Sequence, residues 1–143
     1  MSEENLAPEK PVEPQAPAQP DLASVLKVFP GSPTKDQLEL WKQQHGEIFC
    51  SGFSETELFV WRPLSRREYV DLQKKLRTPP QEGQQPMTEF DYEEQVVSIC
   101  TLWCSLASVL NSKGGSISTL SEQVMQNSNF MPPQLAAAYV IKL

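Results

Sequence analysis

The chain has few of the residues and motifs that enzymes use. Its 143 residues include a single histidine, His45, and no Gly-x-Gly-x-x-Gly, Walker-type or His-Glu-x-x-His motif. His45 precedes Gly46 at a predicted helix end, where a histidine more often interacts with the helix dipole than acts as a base. These absences predict that the protein is not an enzyme and has no catalytic or cofactor-binding residues.

Long apolar runs and an excess of basic residues are missing as well. No window approaches the roughly 18 apolar residues that a membrane-spanning helix needs. The first residues are acidic and proline-rich, unlike a secretory signal. The net charge of −6 and the pI near 4.8 argue against a general nucleic-acid binder. We therefore predict no membrane partner, no nucleic-acid partner and a cytoplasmic environment.

The three cysteines are odd in number and lie in apolar runs, which fits reduced, buried thiols better than a disulfide framework. Cys100 and Cys104 lie four apart in a predicted helix, and with Cys50 and His45 they would supply the four ligands of a zinc site. Both are flanked by large apolar residues, which favours core packing. The acidic cluster at 89–94 lacks the alternation and the glycine of a calcium loop. No metal or cofactor is predicted.

Residues 1–33 form a predicted proline-rich arm. Prolines recur at every third position, at Pro8, Pro11, Pro14, Pro17 and Pro20. Because polyproline II has about three residues per turn, all five would line one face of an extended segment. The segment is otherwise acidic, small or amide-bearing, so by itself it is expected to be a soluble linker or tail. The functional alternative is a ligand for a groove on a neighbouring subunit. Residues 21–29 are more apolar and predict a short helix or strand at the base of the arm.

Residues 34–143 form a predicted α+β body, in which a β-hairpin packs on four to five helices. The predicted elements are a helix at 35–45, strands at 47–53 and 57–61, a helix at 65–76, a loop at 78–86, a helix from 88 to about 110, a helix from 118 or 119 to 127, and a final helix at 134–142.

The junction between the second strand and the following helix is the most informative part of the body. Pro63 ends the strand because it has no N–H for a ladder hydrogen bond. Ser65 and Glu68 have the spacing of a capping box. Arg66 and Arg67 follow at the N-terminal end of the helix, where cations oppose the dipole. This placement indicates a contact for the two arginines, with an ordinary solvated face as the alternative.

Phe59 and Trp61 lie on one face of the second strand, while Leu58 and Val60 lie on the other. With both faces apolar, one is expected to pack on helices and the other to meet a partner. Aromatic residues and arginines concentrate interface energy. We therefore predict partner binding by Phe59, Trp61, Arg66, Arg67 and the five arm prolines, with simple core packing as the alternative for the two aromatic residues.

Four segments carry a resemblance to a known group of proteins. They are His45–Phe49, Arg62–Tyr69, the predicted helix from Tyr92 to Trp103, and Gly115–Met125 followed by Asn127–Phe130. Their order, over about residues 41–130, resembles a loose family of tailed-bacteriophage tail assembly chaperones and related small tail or baseplate accessory proteins. The resemblance implies a structural or assembly protein that acts by protein–protein binding within a multi-subunit assembly. Its partners would be other phage tail or baseplate proteins, and it would be found in the virion tail and in the host cytoplasm during assembly.

Two alternatives remain. The first is a transient tail assembly chaperone that is absent from the mature virion. The helix of that family usually leads to a proline after its Cys-Val-Leu-Tyr or Cys-Val-Leu-Trp run, whereas Cys104 follows Trp103 here, and the proline arm better suits a built-in subunit. The second is a cellular adaptor whose arm binds an SH3- or WW-like groove. Only Lys10 provides a base beside the prolines, which makes SH3 recognition less favoured.

Overall fold

A computed structural model describes residues 21–143 of the chain. Within this range the fold is a small α+β domain of six helices and a three-stranded antiparallel sheet. The helices are α1 (Leu22–Val28), α2 (Lys35–His45), α3 (Arg66–Arg77), α4 (Glu89–Cys100), α5 (Ser116–Asn127) and α6 (Pro133–Ala136). The strands are β1 (Phe49–Ser54), β2 (Glu57–Trp61) and β3 (Thr101–Cys104). Short 3₁₀ helices occur at Val109–Asn111 and Ala137–Tyr139.

The central strand, β2, pairs with β1 on one side and with β3 on the other. Cys50 lies opposite Val60 in the first pair, and Val60 lies opposite Trp103 in the second. All five residues of β2 are buried, because neighbouring strands protect both its edges and other elements cover both its faces. The predicted β-hairpin is therefore confirmed, and a third strand extends it.

Helices cover one face of the sheet and form the main core. Phe59 and Trp61 point to this side, where they join one cluster with buried residues of α3, α4 and α5, among them Leu72, Val97 and Leu120. The burial of these apolar side chains is the main stabilising contribution to the domain.

The opposite face of the sheet carries Leu58 and Val60 and is covered by α1 and the residues that follow it. Leu22 approaches Gly52 so closely that a Cβ atom at Gly52 would lie 2.6 Å from Leu22 Cδ2. The ring of Phe29 packs edge-on against Trp103 with a centroid distance of 5.9 Å. Within the segment predicted as a short helix or strand at the base of the arm, residues 22–28 therefore form a helix that packs on the sheet.

Helix α4 ends ten residues before the predicted end at about Leu110, and this prediction was wrong. At Thr101 the backbone becomes extended, and the chain enters β3. The Arg62 N–H donates to the Cys100 carbonyl at 3.0 Å, and the Ser105 N–H donates to the Leu58 carbonyl at 2.9 Å. Pairing with β2 therefore replaces the helical hydrogen bonds that residues 101–104 would otherwise make. The last helix is also shorter than the predicted 134–142.

Helix α5 begins at Ser116, two to three residues before the predicted start, and its N-terminal end is attached to another element. Its N-cap residue, Gly115, has no side chain to cap with. The buried carboxylate of Glu57 in β2 instead accepts hydrogen bonds from the Lys113 N–H at 2.9 Å and from Ser116 Oγ at 3.0 Å. A negative charge at this position also suits the positive end of the helix dipole. The contact fixes α5 to the central strand.

Candidate protein-binding site

The N-terminal end of α3 is held rigidly by an ion pair. Arg62 Nη1 and Nη2 each donate to one carboxylate oxygen of Glu68, both at 2.7 Å. Arg62 Nη2 also donates to the carbonyl of Ile99 at 3.2 Å, and Glu68 accepts from the Ser65 N–H at 3.1 Å as part of the predicted capping box. The hydrogen bonds from Arg62 are the main reason that the pKa of Glu68 falls to about 2. The ion pair therefore ties α3 to the end of β2 and to α4.

Helix α3 buries one side and exposes a row of bases on the other. Leu72 is buried in the core, while the exposed bases, which we call the basic face, are Arg66, Arg67, Lys74, Lys75 and Arg77. The ion pairs within residues 21–143 are Lys42–Glu39 and Arg62–Glu68. None of the basic-face side chains thus has an acidic partner within 4 Å in the described part of the chain. The charge is available to an external anion.

A shallow groove of about 740 Å³ runs along the basic face. Its lining residues, which define the α3 groove, are Arg66, Tyr69, Val70, Gln73, Lys74, Arg77, Thr78 and Pro79. The Arg66 guanidinium lies 5.7 Å from the centre of the Tyr69 ring, and Phe130 packs on Tyr69 with a centroid distance of 4.6 Å. Cationic walls and a partly apolar floor suit the binding of an acidic peptide.

The structure places Phe59 and Trp61 in the core, with exposed fractions of 0% and 2%. The Trp61 ring stacks on Phe49 at 4.7 Å, and its Nε1–H donates to Ser51 Oγ at 2.8 Å. Phe59 packs edge-on against Phe53 at 5.8 Å. Neither ring presents a surface to a partner, so the predicted contact role is corrected to the core role given as its alternative. The reason is the position of β2 between two strands and two covering layers.

The remaining predicted contact residues fall into two groups. Arg66 and Arg67 are both exposed on α3, but only Arg66 lines the groove. The five spaced prolines lie outside the described residues. The prediction missed Tyr69, Lys74 and Arg77 as members of the same surface, although their spacing from Arg66 by three, eight and eleven residues places them on adjoining parts of one helical side.

The cysteines do not form the arrangement considered from the sequence. Cys100 ends α4, whereas Cys104 ends β3, so the two thiols do not share a helix face. Burial raises the pKa of Cys100 to about 12 and also raises the pKa values of Cys50 and Cys104, which makes all three thiols poor nucleophiles. Across residues 21–143, no three His, Cys, Asp or Glu side chains come together in a group that would hold a metal ion.

None of the helices in residues 21–143 has the length and apolar character needed to cross a bilayer. Comparison with known proteins gave no matching family model, no matching curated protein and no matching solved structure.

Proposed function

We propose that this protein is a small structural or assembly subunit of a bacteriophage tail or baseplate and that it acts by binding alone. The observation that carries the proposal is the basic face of α3, five exposed bases without an acidic partner in the described residues of a chain whose net charge is −6. The capping box and the Arg62–Glu68 pair hold this face on a rigid helix.

The arm supplies a second means of contact. Its five prolines at three-residue spacing favour an extended segment that loses little conformational entropy when it binds. We propose that the arm clips onto neighbouring subunits while the basic face contacts an acidic surface or segment. Residues 41–130 support the assignment to phage tails through their resemblance to small tail and baseplate proteins.

Quantitative mass spectrometry of purified particles, next to lysate of the infected cells that express the gene, tests the proposal. Presence in particles at a fixed ratio to known tail proteins is the expected result. Presence in lysate but absence from particles would instead support the transient chaperone. Absence from both, with the protein bound to a cellular SH3 or WW domain, would contradict a phage role and favour the adaptor.

A further inference from the structure

We propose that the α3 groove binds residues 1–20 of a second copy of this chain. This inference deepens the proposed function and rests on it, because it takes the arm to be a clip and names the neighbour to which it clips. The contact would be head-to-tail, since each copy offers one arm and one groove. Such contacts close into rings or reciprocal pairs, or continue as filaments.

The two surfaces have opposite charges of equal size. Residues 66–77 contain five bases and two acids, for a formal charge of +3, whereas residues 1–20 contain four acids and one base, for −3. One of the two acids on α3, Glu68, is already paired with Arg62, so the exposed surface of the helix is more positive than the formal charge of +3 indicates. An exposed ion pair contributes little individually, but several in one contact act together and give it a strong salt dependence.

The spacing of charges also agrees between the two surfaces. An α-helix rises about 1.5 Å per residue, which puts Arg66 and Lys74 about 12 Å apart along α3. A polyproline II segment rises about 3.1 Å per residue, which puts Glu9 and Glu13 about 12 Å apart as well. Because polyproline II has three residues per turn, the two carboxylates of such a segment would point about 120° apart around its axis, so the agreement with the two bases concerns the distance along the axis. Pro11 lies between them and would sit over the floor of the groove, where extended proline-rich segments commonly meet aromatic side chains.

The position of α1 favours a second copy over the chain's own arm. Helix α1 continues from residue 21 and packs on the Leu58 face of the sheet, whereas α3 belongs to the cluster on the opposite, Phe59 face. An arm that returned to its own groove would have to pass around the sheet. Twenty extended residues span about 60 Å, whereas α3 is about 18 Å long, so the arm is long enough to reach another body.

Charge reversal in the full-length protein tests this contact. The arm variant is Glu9→Lys with Glu13→Lys, and the face variant is Arg66→Glu with Lys74→Glu. A chain with all four substitutions restores complementarity with reversed signs. The matched control is Lys35→Glu with Lys142→Glu, which makes the same change in net charge as the face variant at exposed bases elsewhere. Circular dichroism of each variant checks that its fold is retained.

Sedimentation velocity over a concentration series, in about 50 mM and about 500 mM salt, measures self-association. We expect the unmodified protein and the control to self-associate at low salt. The arm and face variants are each expected to lose about ten- to a hundredfold in association constant, because two attractive pairs become repulsive. An equimolar mixture of the two variants, and the chain with all four substitutions, are expected to recover most of that loss.

Three outcomes would overturn the inference. The unmodified protein could remain monomeric at low salt, which includes the case in which the arm folds back onto its own groove. The control could lose association as strongly as the face variant, or the fourfold variant could fail to recover it. Particle composition separates this inference from the proposed function. A chain that is present in particles but monomeric in solution has a different neighbour, whereas a chain that self-associates but is absent from particles argues against the built-in tail subunit and leaves the self-contact standing.

Discussion

Replacement of Trp61 distinguishes a core role from a contact role, because a core role predicts a loss of stability and a contact role predicts a loss of binding with the stability unchanged. Its side chain is 2% exposed, stacks on Phe49 and donates to Ser51. Truncation of a buried Trp to Ala costs about 3–5 kcal/mol, which combines the lost transfer free energy of the ring with the cavity that remains. Since domains of this size have about 5–15 kcal/mol of stability in total, Trp61→Ala is expected to remove a large part of it.

Urea unfolding followed by circular dichroism measures the loss. We expect a lower midpoint with an unchanged slope, and a melting temperature lower by about 6–20 °C, since each kcal/mol shifts Tm by about 2–4 °C in a domain of this size. The indole hydrogen bond contributes a smaller share. Trp61→Phe keeps an aromatic ring but loses the donor to Ser51, so its expected cost is about 1–2 kcal/mol.

Trp103→Ala is the matched control, because it removes the same side chain from the opposite face of the sheet. Trp103 is only partly buried and contacts Phe29 at the α1 side, so its removal is expected to cost less than half as much as that of Trp61. The core role would be refuted if Trp61→Ala unfolded at the same urea concentration as the unmodified protein while it lost binding to its partner.

Three other substitutions probe separate contacts. Glu57→Ala is expected to cost about 2–3 kcal/mol in urea unfolding, because it removes the buried acceptor of the Lys113 N–H and Ser116 Oγ, and an unchanged midpoint would contradict a stabilising role for this contact. The pKa of Glu68 is lowered from 4.5 to about 2, so its pair with Arg62 stabilises the fold fully above about pH 4.5 and loses this contribution as the pH falls towards 2. Glu68→Gln is therefore expected to flatten the dependence of Tm on pH in that interval. Identical pH profiles of the variant and the unmodified protein would contradict this role of the pair. Gly52→Ala is expected to displace Leu22 and destabilise the packing of α1 by about 1–3 kcal/mol, seen as faster hydrogen exchange in residues 22–28, whereas unchanged exchange would show that Leu22 adapts at no cost.

The elements that were predicted correctly carry their signals locally. Ser65 and Glu68 form the capping box that their spacing predicts, and Gly46 ends α2 with a φ of +82°, which suits glycine. Strand β3 has no such local signal. It continues the apolar pattern of α4 and becomes a strand because β2, far away in the sequence, accepts it as a partner. Propensity within a window does not contain that information.

The roles of Phe59 and Trp61 follow from the same long-range pairing. An apolar pattern on both faces of a strand is compatible with a half-exposed hairpin and with a fully buried central strand. The third strand and the layer formed by α1 make β2 a fully buried central strand. Arg66 and Arg67, by contrast, were assigned to a surface through a local rule, the unfavourable position of cations at a helix N-terminus, and they are exposed.

The basic face depends on the same ion pair that holds α3 in place. Helix α3 contains two acids that would otherwise offset its five bases, and Arg62 binds one of them at the side that faces the sheet. The charge of Glu68 is thereby neutralised by a residue outside the helix, while Asp71 is left as the exposed acid of α3. Arg62 also donates to the carbonyl of Ile99 in α4. The same residue therefore holds α3 in place and leaves the positive charge of the helix uncompensated. Loss of Arg62 would therefore weaken the fold and leave the charge of Glu68 uncompensated on α3, which lowers the net positive charge of the helix and reduces its attraction for an acidic segment.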